Sequence, residues 1–241
     1  MSIIGAMKQS LPSSLYLYLR SLYHQRKKTL SQTGQDFWVF GEVFNEMKGG
    51  FFLEVGSADG ITFSNTFLLE KRHGWKGICI EANPLSFKDL RRVRTAKCVN
   101  VCLDSSEGEV EFIQRDVLGG IVGHDTDNKY GMIGSDANII KLRTKTLASV
   151  LEDEDAPRTI DYVSIDVEGA EERILSSFAF SEYTFKCMTI ERPTPRLRNI
   201  LTHNGYTVVK EIPNHDVFYI HKSFFDEYQT NLWAYWSGQS R

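Results

Sequence analysis

Phe51-Phe52-Leu53-Glu54-Val55-Gly56-Ser57-Ala58-Asp59-Gly60 is the stretch on which the fold turns. A short apolar run ends in an acid and then bends through two glycines. The run fits a buried parallel strand, and the glycines permit a sharp turn and close approach of a ligand. The spacing predicts a helix over residues 62–73. Strand, glycine loop and helix in that order mark the place where an α/β sheet binds a nucleotide-like ligand. The loop is Gly-x-x-x-Gly, which matches neither the dinucleotide fingerprint nor a P-loop. It also carries Glu54 and Asp59, acids that repel a pyrophosphate and suit a ligand with positive charge. S-adenosylmethionine, with a sulfonium, an ammonium and no phosphate, is such a ligand. Taken alone, the motif also reads as a plain turn with helix-capping acids.

The flanking sequence extends the pattern. Strands are expected at 76–81, 97–101, 109–113, 142–146, 161–166 and 185–190. Helices are expected at 84–94, 147–154, 169–178 and 195–204, with Gly74 and Gly205 as helix stops and Pro84 as a helix start. Residues 116–138 are rich in glycine and aspartate without a clear period and read as a long loop. Residues 206–212 and 216–220 are joined by only Pro213-Asn214-His215, so they must pair antiparallel. Upstream, helices are expected at 13–28, ending in Arg26-Lys27-Lys28, and at 35–47, closed by Gly49-Gly50. The first is read as a solvated or capping helix, with a membrane-surface role as the alternative. The domain expectation is a helical extension over 1–48, a ligand-binding domain over 49–222, and an aromatic tail over 223–241 that packs on it.

Bulk properties exclude some classes. The chain has 241 residues, 41% hydrophobic and 24% charged, with a net charge of -3. This suits one globular α/β domain and gives no support for a nucleic-acid partner. No apolar run approaches the ~20 residues of a transmembrane helix, and the first residues do not read as a secretory signal. Cys79, Cys98, Cys102 and Cys187 form no Cys-x-x-Cys pair. They read as buried reduced thiols of a cytoplasmic protein.

The chain resembles the FkbM family of S-adenosylmethionine-dependent methyltransferases. The resemblance rests on Phe52 through Thr62, Ser64-Asn65-Thr66, Gly74-Trp75-Lys76-Gly77, Ile80-Glu81-Ala82-Asn83-Pro84, Ile165 through Glu171, and the hairpin segment Asn214-His215-Asp216-Val217-Phe218. It implies a class I methyltransferase fold. This is a Rossmann-like three-layer α/β sandwich, with a mostly parallel seven-stranded sheet closed by an antiparallel C-terminal hairpin.

Within that fold, Glu54 and the backbone of Gly56, Ser57, Ala58, Asp59 and Gly60 are expected to hold the methionine end of the cofactor. Asp59 would offer its carboxylate to the ammonium. Ser64 and Asn65 are placed in the same set. Glu81 would accept both ribose hydroxyls, and Ala82 and Asn83 would flank the adenosine. Asp104 would accept from the adenine amine, unless Leu103-Asp104-Ser105-Ser106 is simply a turn. Asp166, Glu168 and Glu191 lie at strand ends beside the expected sulfonium and are the catalytic candidates, Asp166 also touching cofactor. They would act as a carboxylate base or, through Asp166 and Glu191, as ligands of a divalent metal. Helix capping by Asp166 and Glu168 is the competing reading. His124, Tyr130 and His215 are weaker candidates for acceptor contact. Arg91-Arg92-Val93-Arg94 reads as the solvated end of a helix.

The resemblance implies O-methylation of a hydroxyl on a sugar or glycoconjugate. The competing readings are a catalytically inactive interaction module and, less well supported, a nicotinamide-dependent oxidoreductase. A small-molecule or glycan acceptor is expected, and a homodimer is compatible with the aromatic tail.

Overall fold

The computed structural model describes residues 12–115, 117–131, 134 and 137–239. In chain order the elements are α1 (Ser13–His24), β1 (Phe51–Val55), α2 (Phe67–His73), β2 (Lys76–Ile80), α3 (Pro84–Val93), β3 (Lys97–Val99), β4 (Cys102–Leu103), β5 (Gly108–Ile113) and β6 (Gly120–Ile121). They continue with β7 (Ile139–Lys145), α4 (Leu147–Asp153), β8 (Thr159–Ile165), α5 (Glu171–Ser176), β9 (Thr184–Glu191), α6 (Pro195–His203), β10 (Tyr206–Glu211), β11 (Asp216–His221) and α7 (Phe225–Trp236). A helical turn over Gln35–Phe37 that runs into a π-helix over Trp38–Val43 precedes β1.

Seven strands form the main sheet in the order β10-β11-β9-β8-β1-β2-β3. β1 sits centrally, parallel to β2 and β8, while β11 runs antiparallel to β9 and β10. This is the class I methyltransferase order with its closing hairpin. Alternation along the strands separates two cores. Leu53, Val55, Ile78, Ile80, Val163 and Ile165 face α4, α5 and α6. Phe52, Cys79, Tyr162, Cys187, Phe218 and Ile220 face the other way, against Trp38, Val39, Val43 and Phe44 and against Phe224 and Tyr228. Residues on both sides of the central repeats therefore complete one layer of the sandwich.

Three local expectations are corrected. The helix after β1 begins at Phe67 rather than near residue 62, because Ser64, Asn65 and Thr66 are drawn inward to hydrogen-bond Glu54. The helix expected over 35–47 is short and of π type, and the chain leaves it through Asn45 and Glu46 at φ 45° and 64°. The 116–138 segment is not wholly loop. Gly120–Ile121 joins a second, four-stranded sheet of order β4-β7-β5-β6 that lies beside the main one. The cysteines are all free, with Cys98 only half-buried. Among the described residues, no helix is long and apolar enough to cross a membrane.

Candidate active site

The loop after β1 is held by backbone groups. Gly56 has φ 86°, and a Cβ there would lie 1.8 Å from the Asp166 carbonyl oxygen. Only glycine lets the ends of β1 and β8 meet so closely. The N–H groups of Gly56 and Ser57 both donate to the Ile80 carbonyl at 3.0 Å, and Ser57 Oγ donates to the Glu54 carbonyl. Ala58 N–H donates to Glu81 Oε2 and Asn83 N–H to Glu81 Oε1, each at 2.7 Å. Glu81 thus bridges the loop and the start of α3, and each of its oxygens keeps further acceptor capacity. Burial drives its carboxyl up to about 7. Asn83 Oδ1 caps α3 by accepting from the Leu85 N–H at 3.0 Å.

The buried Glu54 carboxylate accepts from Ser64 Oγ, the Asn65 N–H, Thr66 Oγ1 and Arg94, over 2.7–3.1 Å. Those donors engage both of its oxygens within the fold. Arg94 corrects an expectation. It is wholly buried rather than solvated, and donates to Glu70 at 2.6 Å, Glu54 at 3.0 Å, Thr66 Oγ1 at 2.7 Å and the Gly60 carbonyl at 3.4 Å. Gly60 itself, at φ 79°, has the Arg94 stem packed against it. Burial opposes ionisation of Glu70, but Arg94 and further donors outweigh it and hold this carboxyl at about 2.

Asp59 and Asp104 are also committed elsewhere. Asp59 pairs with Arg20 of α1 at 2.7 Å and accepts from the Ile61 and Thr62 N–H groups. Burial opposes its ionisation, yet Arg20 and the Thr62 N–H hold the carboxyl below the usual range. Asp104 is gripped in bidentate fashion by Arg173, at 2.9 and 2.5 Å. Asp104, expected beside the adenine, and Asp59, expected to meet the ammonium or a bound water, are each held in an ion pair. The pocket beside Glu81 and Ala82 is walled instead by Val101, Leu103, Phe112 and Ile121. Phe112 and Ile121 come from the second sheet, and no local sequence signal marked them.

The strand-end acids do converge. Asp166, Glu168 and Glu191 line one cavity of about 340 Å³, with Ser164, Asn65 and Gly56. Burial, and then the neighbouring Glu191, to which it hydrogen-bonds, push the Asp166 carboxyl well above the usual carboxylate range. Burial and Glu191 likewise raise Glu168 to about 7. Glu168 and the adjoining Arg192 are held at φ 56° and 40°, backbone positions that cost energy and cluster at functional sites. Asn65 donates Nδ2 to Ser164 Oγ at 2.7 Å, while its buried Oδ1 has no partner. No side chain caps α5, so neither Asp166 nor Glu168 does so; Glu171 Oε1 instead accepts from the Val167 and Gly169 N–H groups in the turn before the helix. His124 and Tyr130 sit ring to ring at 5.4 Å on the exposed loop, away from this cavity.

The acids fit a divalent metal poorly. Asp127, Glu168 and Glu191 come within 4.8 Å of one another, as do Asp166, Glu171 and Glu191. The Arg192 guanidinium occupies the first set, at 2.6 Å from Asp127, 2.7 Å from Glu191 and 3.5 Å from Glu168. In the second set Asp166 is buried and raised well above the usual carboxylate range, which disfavours the charged form a metal needs, and Glu171 is engaged by backbone.

A stability consequence follows from these raised carboxyls. Burial drives Glu171, like Glu81, to about 7 from an ordinary 4.5. Between those values the folded chain binds more protons than the unfolded one, so stability is full below about pH 4.5 and is lost as pH rises through 7. Each group costs up to about 3 kcal/mol once ionised. The ligand-free protein is expected to melt at a lower temperature at pH 8 than at pH 5. Glu171→Gln, which keeps an oxygen to accept from the Val167 and Gly169 N–H groups, is expected to flatten that fall in a thermal melt series, and an unchanged slope would refute the assignment.

No curated protein matches the chain. Among solved structures it is similar to the precorrin-6y C5,15-methyltransferase of Geobacter metallireducens GS-15, at 10% identity and TM-score 0.41, covering 80% of this chain and 91% of that one. It is similar to Streptococcus pneumoniae Sp1610, solved in complex with S-adenosyl-L-methionine, at 11% identity and TM-score 0.46, with 83% and 87% covered. It is also similar to the Methanococcus jannaschii fibrillarin pre-rRNA processing protein, at 13% identity and TM-score 0.43, with 80% and 74% covered. The methyltransferase FkbM domain model matches residues 54–208, from the acid at the end of β1 to within the closing hairpin. With that match spanning well over half its length, the chain belongs to the FkbM family of S-adenosylmethionine-dependent methyltransferases.

Proposed function

We propose that the protein methylates a hydroxyl of a sugar or glycoconjugate, with Asp166 as the base. The observation that carries this reading is the Asp166 carboxyl, buried beside Glu191 and held above the usual carboxylate range, in the cavity that adjoins the glycine loop. When bound, S-adenosylmethionine supplies an electrophilic methyl group on a sulfonium. Glu81 offers two acceptor oxygens to a ribose diol, and the Gly56–Gly60 backbone walls the cavity next to it. A hydroxyl acceptor must lose its proton as its oxygen bonds to carbon, and Asp166 takes that proton at Oδ. Catalytic bases work best with a pKa near the working pH, and burial moves Asp166 upward from the ordinary carboxylate range. Glu168, Glu191 and Asp166 make the acceptor cavity acidic, which disfavours phosphorylated or carboxylated acceptors. The four free thiols fit a reducing compartment, and we place the reaction in the cytoplasm.

Calorimetry with S-adenosylmethionine and S-adenosylhomocysteine, followed by transfer of labelled methyl to a panel of neutral oligosaccharides, tests the proposal. Binding without transfer to any member would favour an interaction module. Absence of binding by both cofactors at millimolar concentration would sink it outright.

Glu81 yields its own prediction. Glu81→Gln is expected to weaken S-adenosylhomocysteine binding by roughly 10–100-fold, the worth of one or two charge-assisted hydrogen bonds. Because the free carboxyl titrates at about 7, it must shed a proton on binding at lower pH. Affinity is expected to rise between pH 6 and 8 in the native chain, with a shallower rise in Glu81→Gln. Identical pH slopes would rule out the ribose role.

A further inference from the structure

We propose that the outer face of α1 docks on an anionic lipid surface. α1 has two unlike faces. On the inner one, Leu17 packs with Ile61, Phe67, Leu68 and Val93, and Arg20 holds Asp59 and Thr62 of the cofactor loop. On the outer one, Leu15, Tyr18 and Leu22 are 43%, 61% and 40% exposed and share one side of the helix at spacings of three and four. In the sequence the same spacing runs back through Leu11, Met7 and Ile4.

Charge selects the occupant. The exposed apolar stripe leads directly into Arg26, Lys27 and Lys28, all exposed. Arg72 at the end of α2 joins them by donating to the Lys27 carbonyl at 2.9 Å. The chain as a whole is acidic, at -3, so this cluster is a local feature and not a share of general basicity. Leucine and tyrosine on a helix that leads into arginine and lysine just past its end is the composition of an interfacial segment, the apolar residues entering the acyl boundary and the cations meeting anionic headgroups. A nucleic acid would use the cations but leave Leu15 and Leu22 in water. A second copy of this acidic chain would use the leucines but has no stated need of the cations. Since the inner face grips Asp59, a docked bilayer would lie beside the cofactor loop. Catalysis at a membrane surface would then be open to acceptors carried on lipid.

The test uses the full chain and vesicles of two compositions, phosphatidylcholine alone and phosphatidylcholine with a third replaced by phosphatidylglycerol. Flotation is expected with the anionic vesicles only, and less of it as salt rises. Arg26→Glu/Lys27→Glu/Lys28→Glu is expected to lower partitioning by at least about thirtyfold. Leu15→Ser/Tyr18→Ser/Leu22→Ser is expected to lower it by about tenfold or more. Both variants alter exposed positions, and unchanged melting temperatures confirm that they fold. The proposal fails if the native chain does not float with anionic vesicles, or if either variant floats as well as the native chain. It also fails if light scattering shows a dimer that the serine variant dissolves, or if an oligonucleotide binds through the cations with the serine variant unaffected.

Discussion

Arg94→Met is expected to destabilise the protein by about 3–5 kcal/mol, the usual cost of removing one partner from a buried ion network. A domain of this kind is stable by only about 5–15 kcal/mol in total, so the variant would sit close to unfolding. The size follows from what Arg94 leaves behind. Glu54 and Glu70 are both buried, and Arg94 lies between them at 3.0 and 2.6 Å. Without the guanidinium, two buried carboxylates lose the cation between them, Glu54 keeping only neutral donors and Glu70 only Lys71 and Thr95. Lysine does not replace it, because a single ammonium cannot span acceptors on Glu70, Glu54, Thr66 and Gly60 at once. Urea titration measures the loss. Adding Glu54→Gln and Glu70→Gln to Arg94→Met is expected to recover part of it, since the uncompensated charges then disappear. A loss below about 1 kcal/mol would mean that the network contributes little.

Asp166→Asn is expected to lower kcat by about 10²–10⁴-fold, the usual contribution of a positioned general base. Asparagine keeps the shape and loses the proton acceptor. Affinity for S-adenosylhomocysteine is expected to stay within about tenfold, so the loss would lie in turnover and not in binding. The acid limb of the pH–rate profile would go with it. Glu191→Gln would shift that limb downward, because the Glu191 charge is, after burial, the largest cause raising the Asp166 carboxyl. The measurement is steady-state methyl transfer on an acceptor found by the oligosaccharide panel. Unchanged kcat in Asp166→Asn would return Asp166 to a structural part, though not to capping α5, whose N-terminus has no side-chain cap.

What could be read in advance depended on the range of the interaction concerned. Glu81 and Asp166 were legible because each ends a short apolar strand, and parallel strands of an α/β sheet end at the ligand edge. Glu54 and Asp59 were legible as acids of the loop, but their partners were not. Arg94 lies 40 residues from Glu54, Arg20 lies 39 from Asp59, and Arg173 lies 69 from Asp104. No local spacing relates such pairs. Arg94 followed two arginines at the end of a helix, so its sequence context pointed to solvent. The second sheet was hidden for a similar reason: β6 is two residues long and exists only by pairing with β5.

The sequence by itself determined the element order, the class of fold, the glycine turn and which strand ends carry acids. All of these follow from apolar periodicity, glycine and proline placement and short connections, which act within one or two elements. The tertiary structure alone decided which acids are spent and which are free. Glu54, Asp59 and Asp104 meet arginines delivered by distant helices and are neutralised within the fold. Asp166, Glu168 and Glu191 are instead brought against one another, and burial together with like charge raises the Asp166 and Glu168 carboxyls. A carboxylate's chemistry is set by its neighbours within a few ångströms, and those neighbours are assembled only when the chain has folded.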